Sequence, residues 1–283
     1  MTTTSVLHRT REFPAPVLSG PRYSLIVSAD PEDREEAQRL RRRVFAAEPG
    51  FTLPTGTGDL DADRFDEFCD HLLVHDRVTD TVVGCYRMLS PGAARAAGGY
   101  YTATEFDLSA LDPHGMRAVE MGRACVDPAH RSGSVLTLMW AGILNYLQLT
   151  GHNWVIGCVS VPMRTAPGEP SGANVRGVRD ILLSRHGIAP ESRVRPLNPV
   201  VVDGRGLDEI APPATPVMPP LLRGYLRLGA RICGEPAHDP EFGVADFVAL
   251  LSLKDANSRY LDRLRSAAER RETGPADENA VSG

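Results

Sequence analysis

Residues 118–140, AVEMGRACVDPAHRSGSVLTLMW, predict an apolar strand, a short turn and the start of an apolar helix. The strand carries a carboxylate at Glu120 and a guanidinium at Arg123. An ionised side chain that loses its water costs roughly several kcal/mol unless a partner compensates it. Two such side chains in the middle of an apolar strand therefore indicate a functional site.

The relation between these two charges depends on whether the strand is regular. In a regular strand successive side chains alternate, which places Glu120 and Arg123 on opposite faces. A β-bulge at Gly122 would add one residue, bring both side chains to the same face and leave a backbone N–H unpaired. Such an N–H can bind a carbonyl oxygen or an oxyanion. The alternative is a Glu–Arg pair on a solvated sheet face, and the residues alone leave both open.

The turn after this strand, HRSGSV at 130–135, opens the helix predicted over 134–150. A Gly/Ser turn at a helix start presents free N–H groups and the positive end of the helix dipole, which suits phosphate. Arg131, Gly133 and Ser134 are therefore candidate contacts for a phosphate-bearing acyl donor. An ordinary strand-to-helix turn is the alternative.

Periodicity and turn residues predict the elements around this stretch. Strands are expected at 23–28, 70–76, 81–90, 118–128, 154–161, 194–202 and 244–253, and helices at 30–48, 134–150, 174–186 and 220–233, with a charged helix after the last strand. Several strands meet through short turns, which favours a mixed α/β (α+β) fold with a mainly antiparallel sheet flanked by helices.

The chain is expected to form one domain over residues 21–265, between polar tails at 1–20 and 266–283. The Pro/Gly-rich segment 162–173 is typical of a mobile lid or a subdomain joint.

The composition of the chain argues against some classes of function. The net charge of −5 gives no basic field for nucleic acid. Five cysteines without a CxxC pair predict a reducing cytoplasm rather than a disulfide framework. No apolar run approaches the ~20 residues of a membrane span, so a cytoplasmic protein is expected, with contact to the inner face of the cell membrane left open.

An acidic loop at 58–70, GDLDADRFDEFCD, precedes the predicted hairpin. Its spacing is not that of an EF-hand, because Arg64 stands where the glycine is required and Asp70 where the glutamate is required. The loop then either holds a cationic substrate or is a solvated acidic surface. A zinc site needs four ligands, and the sequence offers no second cluster to join Cys69, His71 and His75. No metal is therefore expected. No serine nucleophile motif is present in the sequence either.

The predicted helix 220–233 carries Arg223, Arg227 and Arg231 four residues apart, beside a row of apolar residues. Such a stripe fits an anionic partner or membrane surface. An amphipathic helix with a solvated arginine face is equally consistent with the pattern.

Taken in order, the motifs resemble the ornithine-acyl-carrier-protein N-acyltransferase family. That family has the Gcn5-related N-acetyltransferase (GNAT) fold and is related to the acyl-homoserine-lactone synthases. The resemblance extends over about residues 35–250. It rests on RLRRRVFAAE, DADRFDEFCDHLLVHD, TVVGCYRML, GGYYTATEFDL, VEMGRACVDPAHRSGSVLTLMWAGI, GCVSVP and PPLLRGYLRLGARICGEPAHDPEFGVADF.

The resemblance implies a set of polar site residues. Glu120 would be the base and Arg123 would pair with it or orient the thioester. Asp63 and Asp66 would hold the side-chain ammonium of the acceptor, and Arg87 its carboxylate. Substrate-binding positions carried over from the lactone synthases are Arg41, Phe45, Asp63, Asp66 and Arg87.

The resemblance also implies the donor and the reaction. HRSGSV keeps an arginine and a glycine of the fold's pyrophosphate loop but not its spacing, which favours acyl carrier protein over acyl-CoA as the source of a phosphopantetheine thioester. No tightly bound cofactor is implied. The expected reaction transfers a long-chain, 3-hydroxyacyl type group to the α-amine of ornithine, the first step of ornithine-lipid synthesis. The alternatives are an N-acyl-amino-acid or acyl-homoserine-lactone-type signal synthase, and a non-catalytic acyl-carrier or lipid-binding module.

Overall fold

The computed structural model describes residues 18–19, 22–48, 58–113, 115–131, 133–166, 168–259 and 261–262. The strands are β1 (Leu18–Ser19), β2 (Tyr23–Ser28), β3 (Asp70–Asp76), β4 (Thr81–Leu89), β5 (Phe106–Asp107), β6 (Val119–Val126), β7 (Trp154–Pro162), β8 (Arg195–Pro196), β9 (Val201–Val202), β10 (Arg205–Gly206), β11 (Arg231–Ile232), β12 (Ala237–Asp239) and β13 (Val244–Ser252). The helices are α1 (Pro31–Ala47), α2 (Pro91–Ala96), α3 (Ser134–Thr150), α4 (Ala173–Arg185) and α5 (Pro220–Leu228).

One large sheet organises the fold. Its strand order is β1-β2-β3-β4-β6-β7-β13-β11, and β12 also pairs with β13. Every pairing is antiparallel except that of β6 with β7. The prediction of a mixed fold with a mainly antiparallel sheet is confirmed.

Helices cover both faces of this sheet, and β3 shows why. Leu72 and Val74 belong to the core formed with the apolar helix α3, whereas Leu73 belongs to the core formed with α1. Since neighbouring side chains of a strand point to opposite faces, α1 and α3 lie on opposite sides of the sheet. Further along, α4 and α5 pack with β7 and β13 in a second core.

Most predicted helices and strands are present, and local interactions explain where several of them begin or end. The Asp30 side chain accepts from the Glu32 N–H at 2.9 Å, which caps α1, and Pro31 occupies the first turn. Helix α3 ends at Gly151, whose φ of +69° suits a residue without a Cβ. The hairpin β3–β4 lies within one residue of its prediction.

Of the two alternatives for β6, the structure has the bulge, which lies just after Gly122. Cys85 pairs with Cys125 and Arg87 with Gly122, so three steps along β6 face two along β4. The additional residue falls at Arg123–Ala124, and Arg123 has a φ of +53°. A left-handed conformation is unfavourable for a residue with a side chain, so surrounding contacts must hold it.

Just before the bulge, β6 separates from β7. The two strands pair only at Val119–Val155 and Glu120–Ile156, whereas β7 continues to pair with β13 along its full length. At Gly157 an added Cβ would lie 2.2 Å from the Met121 carbonyl oxygen, so only glycine permits this close approach at the point of separation. The facing edges of β6 and β7 are left open to form a cleft.

The basic helix is shorter than predicted. Helix α5 ends at Gly229, with φ +102°, rather than at residue 233. Arg231 lies in β11, where its guanidinium donates to the Gly187 carbonyl at 2.8 Å. The predicted stripe of three arginines is therefore wrong in its last member, and Arg223 and Arg227 remain as the exposed basic residues of α5.

Helix α4 begins at Ala173, after Gly172, rather than with Asn174 as its cap. The Asn174 side chain instead bonds both backbone groups of Val217, at 2.7 and 2.9 Å. The segment before the helix is tied back by the Gly172 N–H, which donates to the Met163 carbonyl at 2.8 Å. The strand expected at 194–202 is reduced to the short β8 and β9.

The predicted tails fall almost entirely outside the described residues, as does the charged helix at the end of the fold. Leu18 and Ser19, assigned to the first tail, form β1 and pair with Leu25 and Ser24. Among the helices of the described ranges, none has the length and apolar character that crossing a membrane requires.

Candidate active site

The separation of β6 from β7 opens a cleft of about 700 Å³. Its walls include the ends of α1 and α5, the first turn of α3 and the facing edges of β6 and β7. Most of the lining is apolar. The charged groups that reach it include Arg87, Glu120, Arg123, Asp239 and Asp246.

A buried ion-pair network underlies one wall of this cleft. Arg41 of α1 is 1% exposed and forms a two-pronged contact with Asp66, at 3.0 and 2.8 Å. Its Nε donates to Asp61 at 2.8 Å. Burial would raise the pKa of Asp66, but Arg41 and Arg87 outweigh burial and hold that pKa far below its ordinary value.

Two further arginines extend the network to the bulge. Arg87 of β4 donates to Asp63 at 2.6 Å and to Asp66 at 3.1 Å. Arg123 donates to Asp63 at 3.3 Å, which supports its left-handed backbone. Burial tends to raise the pKa of Asp63, and the ion pair with Arg87 more than reverses that effect. We name the chain Arg41–Asp66–Arg87–Asp63–Arg123 the buried ion chain.

These contacts change the role expected for several of the predicted substrate-binding residues. Arg41 and Asp66 are 1% and 2% exposed, do not line the cleft, and pair with residues of the fold. Asp63, 22% exposed in its side chain, lies between two arginines. Phe45 and Arg87 do line the cleft. The geometry therefore gives Asp66 and Arg41 a positioning role, in place of the direct contact expected from sequence.

Glu120 lines the cleft at the point where β6 and β7 part, and is 4% exposed. Its carboxylate accepts from the backbone N–H groups of Tyr101 and Thr102, both at 2.7 Å, and from the Thr102 hydroxyl. Burial raises the pKa of Glu120 even though these hydrogen bonds oppose the shift. A carboxyl group with a raised pKa, open to a cleft, is suited to accept a proton.

Arg123 lies beside Glu120 without pairing with it, since its ion-pair partners are Asp61 and Asp63. Its guanidinium lies 5.5 Å from the centre of the Tyr101 ring, whose own backbone holds Glu120. The two side chains thus both line the cleft, as the bulge alternative implied, and each contacts Tyr101. The expected Glu120–Arg123 pair is replaced by this arrangement.

A second acidic group, missed by the sequence analysis, lies across the cleft. One carboxylate oxygen from each of Glu105, Asp239 and Asp246 lies within 4.8 Å of the others. Within the described ranges this is the set of acidic, His or Cys side chains close enough to share one cation. We name these three residues the acidic triad.

Asp246 is the most buried member of the acidic triad, at 4% exposed, and it accepts from the Ser160 hydroxyl at 2.6 Å. Burial, opposed by Ser160 and reinforced by Asp239, raises the pKa of Asp246 to about 6. Burial and the Asp246 charge raise the pKa of Glu105 to about 8. The signal was available in the sequence, because Asp246 interrupts the apolar strand VADFVALLSL just as Glu120 interrupts its own strand.

The predicted donor-binding turn lies at the mouth of the cleft. Arg131 and Gly133 line it, and Ser134 begins α3. Gly133 has a φ of +89°, so the turn needs glycine there. The Arg131 side chain donates to the Val126 carbonyl at 3.1 Å and pairs with Glu48, which fixes the turn against α1.

His71 supports the buried ion chain from β3. Its Nε2 donates to the Asp66 carbonyl at 3.0 Å. Burial lowers the pKa of His71 to about 4, below the ordinary histidine value. The neutral ring therefore belongs to the folded state, whereas the unfolded chain takes up a proton at higher pH.

We expect the free energy of unfolding to fall as pH decreases from the ordinary histidine pKa towards about 4. In that interval the unfolded chain binds a proton at His71 that the folded chain does not, which costs at most roughly 3 kcal/mol. His71→Gln keeps an N–H donor and should flatten this part of the profile. Urea unfolding measured across the pH range tests it, and an unchanged slope in the variant would contradict the role of His71.

Comparisons with known proteins show the family to which the chain belongs. Residues 40–141 match the family model of the acetyltransferase (GNAT) domain. The L-ornithine N(alpha)-acyltransferase of Brucella abortus (strain 2308) is 33% identical over 249 residues, which cover 83% of this chain and 86% of the relative. The protein of the same name from Agrobacterium fabrum (strain C58 / ATCC 33970) is 31% identical, with 83% of each chain covered.

Among solved structures, FeeM, an N-acyl amino acid synthase from uncultured soil microbes, is similar with a TM-score of 0.47 and 12% identity, covering 83% of this chain and 92% of its own. The acyl-homoserine lactone synthase BjaI gives a TM-score of 0.49 and 16% identity, covering 84% and 83%. The assignment rests on the sequence relatives, which confirm the resemblance found in the motifs. The chain is an acyltransferase and belongs to the L-ornithine N(alpha)-acyltransferase family.

Proposed function

We propose that this protein transfers a long-chain (3-hydroxy)acyl group from acyl carrier protein to the α-amine of ornithine, the first step of ornithine-lipid synthesis. The observation that carries the proposal is Glu120, buried with a raised pKa at the point where β6 leaves β7. Family membership supplies the reaction class and the acceptor named for the relatives. The geometry supports a role for each part of the cleft.

The open edges of β6 and β7 suit the phosphopantetheine arm of the donor. Beyond Glu120 and Ile156 the two strands do not pair with each other, so their facing backbone groups are available to the amides of an extended arm. Arg131 and Gly133 at the cleft mouth then meet its phosphate. A carrier-bound arm offers one phosphodiester, which needs fewer contacts than the pyrophosphate of coenzyme A.

The chemistry needs no covalent enzyme intermediate. The neutral α-amine of the acceptor attacks the thioester carbonyl, so that a C–N bond forms, and its nitrogen gives up one proton to Glu120. The C–S bond then breaks, and the departing thiolate takes up the proton. A backbone N–H left free by the bulge would stabilise the oxyanion that forms in between. Three donors fix the Glu120 carboxylate and keep it aimed at one position.

We expect Glu120→Gln to lower kcat by roughly 10²–10⁴, because an amide cannot take the proton. Asp76→Asn is the matched control, since Asp76 is 0% exposed and pairs with Arg22 outside the cleft. It should lose stability but keep kcat. The kcat of each variant is measured with an acyl-carrier thioester and ornithine, and its stability by urea unfolding. A Glu120→Gln variant with near wild-type turnover would remove Glu120 from the mechanism.

The acceptor needs one site for its carboxylate and another for its side-chain ammonium. Asp63 and Asp66, first candidates for the ammonium, are neutralised within the buried ion chain. Among the described residues, Asp239 and Asp246 of the acidic triad form no salt bridge and line the cleft. We assign the ammonium to the acidic triad and the carboxylate to Arg123, which is more exposed than Arg87.

This assignment predicts a specific loss. Asp246→Asn removes a buried negative charge, and an ammonium left without it should cost about 10–100-fold in kcat/KM for ornithine. Norvaline, which lacks the side-chain amine, should be affected little. The exposed Asp208 outside the cleft gives the control variant Asp208→Asn. The ratio of kcat/KM for ornithine to that for norvaline is measured by letting the two amines compete for one acyl-carrier donor. An equal loss for both amines would exclude the acidic triad as the ammonium site.

Helix α5 is suited to receive the acyl carrier protein. Arg223 and Arg227 are exposed on its outer side, while Leu221 and Tyr225 of the same helix line the cleft. An acidic carrier bound to these arginines would therefore be held beside the entry for its own pantetheine arm. Charge complementarity of this kind chiefly increases the rate of association.

Reversing both charges, with Arg223→Glu and Arg227→Glu together, should lower kcat/KM for an acyl-carrier donor by about tenfold and reduce its salt dependence. An acyl-pantetheine thioester has no carrier and should react at the wild-type rate. Arg205→Glu, at an exposed arginine in β10, is the control. If the double variant keeps its carrier kinetics but no longer binds anionic vesicles, this face contacts a membrane instead.

A further inference from the structure

A small apolar cavity of about 30 Å³ lies beside the cleft. Trp140, Met121, Ala230 and Leu251 are among its walls. Tyr86 of β4 and Tyr225 of α5 line both the cavity and the cleft, as do Met121 and Cys158. The two tyrosines are thus the aromatic part of the partition between the two spaces.

The partition is held by a direct contact. The hydroxyl groups of Tyr86 and Tyr225 are hydrogen-bonded to each other across the boundary. Tyr86 is 3% exposed, and burial raises its pKa to about 12, so its hydroxyl stays protonated. The Trp140 ring packs edge to face against the Tyr225 ring, with ring centres 5.6 Å apart. One hydrogen bond and one ring contact therefore set the position of Tyr225.

We propose that the Tyr86–Tyr225 pair is the end stop that sets the length of the acyl chain. This inference rests on the proposed function, because it takes the acyl group of the thioester donor as the ligand. The chain lies along the apolar part of the cleft, and its last methyl group ends against the two rings. The cavity behind them has room for roughly two groups of the size of water or a methylene.

The surroundings favour an alkyl chain as the occupant. The cavity walls are mainly apolar side chains, and the two tyrosine hydroxyls are hydrogen-bonded to each other. A chain of CH₂ groups gains free energy when such walls remove it from water, whereas a polar group would find few partners here.

The test removes the stop and then refills the space. Tyr225→Ala joins the cavity to the cleft, so the optimum in a series of acyl-carrier thioesters should move to longer chains by about two carbons or more. The ratio of kcat/KM for the longer chain to that for the wild-type optimum should rise about tenfold. Adding Ala230→Leu to this variant places new carbon atoms in the cavity and should return the optimum towards the wild-type length.

Leu226→Ala is the matched control, because Leu226 is partly buried on the same helix and lines neither space. It should keep the wild-type optimum. If Tyr225→Ala does not fold, as judged by urea unfolding, Tyr225→Leu provides a smaller opening and the same direction of shift. An unchanged optimum in the folded variant, or no return in the double variant, would overturn the inference.

The same experiment distinguishes a wrong proposed function from a wrong end stop. If the wild-type protein transfers no acyl group from any thioester in the series, the proposed function is wrong. If it shows a clear optimum that neither variant moves, the function stands and only the end stop is wrong.

Discussion

The buried ion chain is the interaction on which the site depends. It joins α1, the loop at 58–68, β4 and the bulge of β6 through alternating positive and negative groups. Each member would be costly to bury alone, and removal of one partner from such a network costs about 3–5 kcal/mol. Because Arg123 is both its last member and the residue in a left-handed conformation, the buried ion chain supports the bulge that directly follows the point where β6 leaves β7.

The buried carboxylates of this protein therefore fall into two groups. Asp63 and Asp66 have lowered pKa values because arginines surround them, and they hold the fold together. Glu120, Glu105 and Asp246 have raised pKa values because burial outweighs the interactions that favour their charged forms, and they face or adjoin the cleft. Unmatched burial is unfavourable for stability, which is the behaviour expected of groups that a bound substrate completes.

The sequence indicates the second of these groups more clearly than the first. Glu120 and Arg123 were identified because charges in an apolar strand are visible locally, and Asp246 carried the same signal unnoticed. The partners of Asp63 and Asp66 were not predictable in this way, because they come from α1 and β4, and only the folded loop brings them together. Similarly, Gly229 ends α5 where the periodicity of the arginines suggested that it continued.

The bulge in β6 has a consequence for how this strand can vary. The half of β6 before Arg123 and the half after it are out of phase by one residue relative to β4. Deleting one residue there would restore a regular ladder and turn the guanidinium towards the apolar side occupied by Met121 and α3. Side chains in β6 can be exchanged under ordinary constraints of size and polarity, but the number of residues between Gly122 and Cys125 is fixed. The chemistry of the cleft is encoded in a length as much as in residue identities.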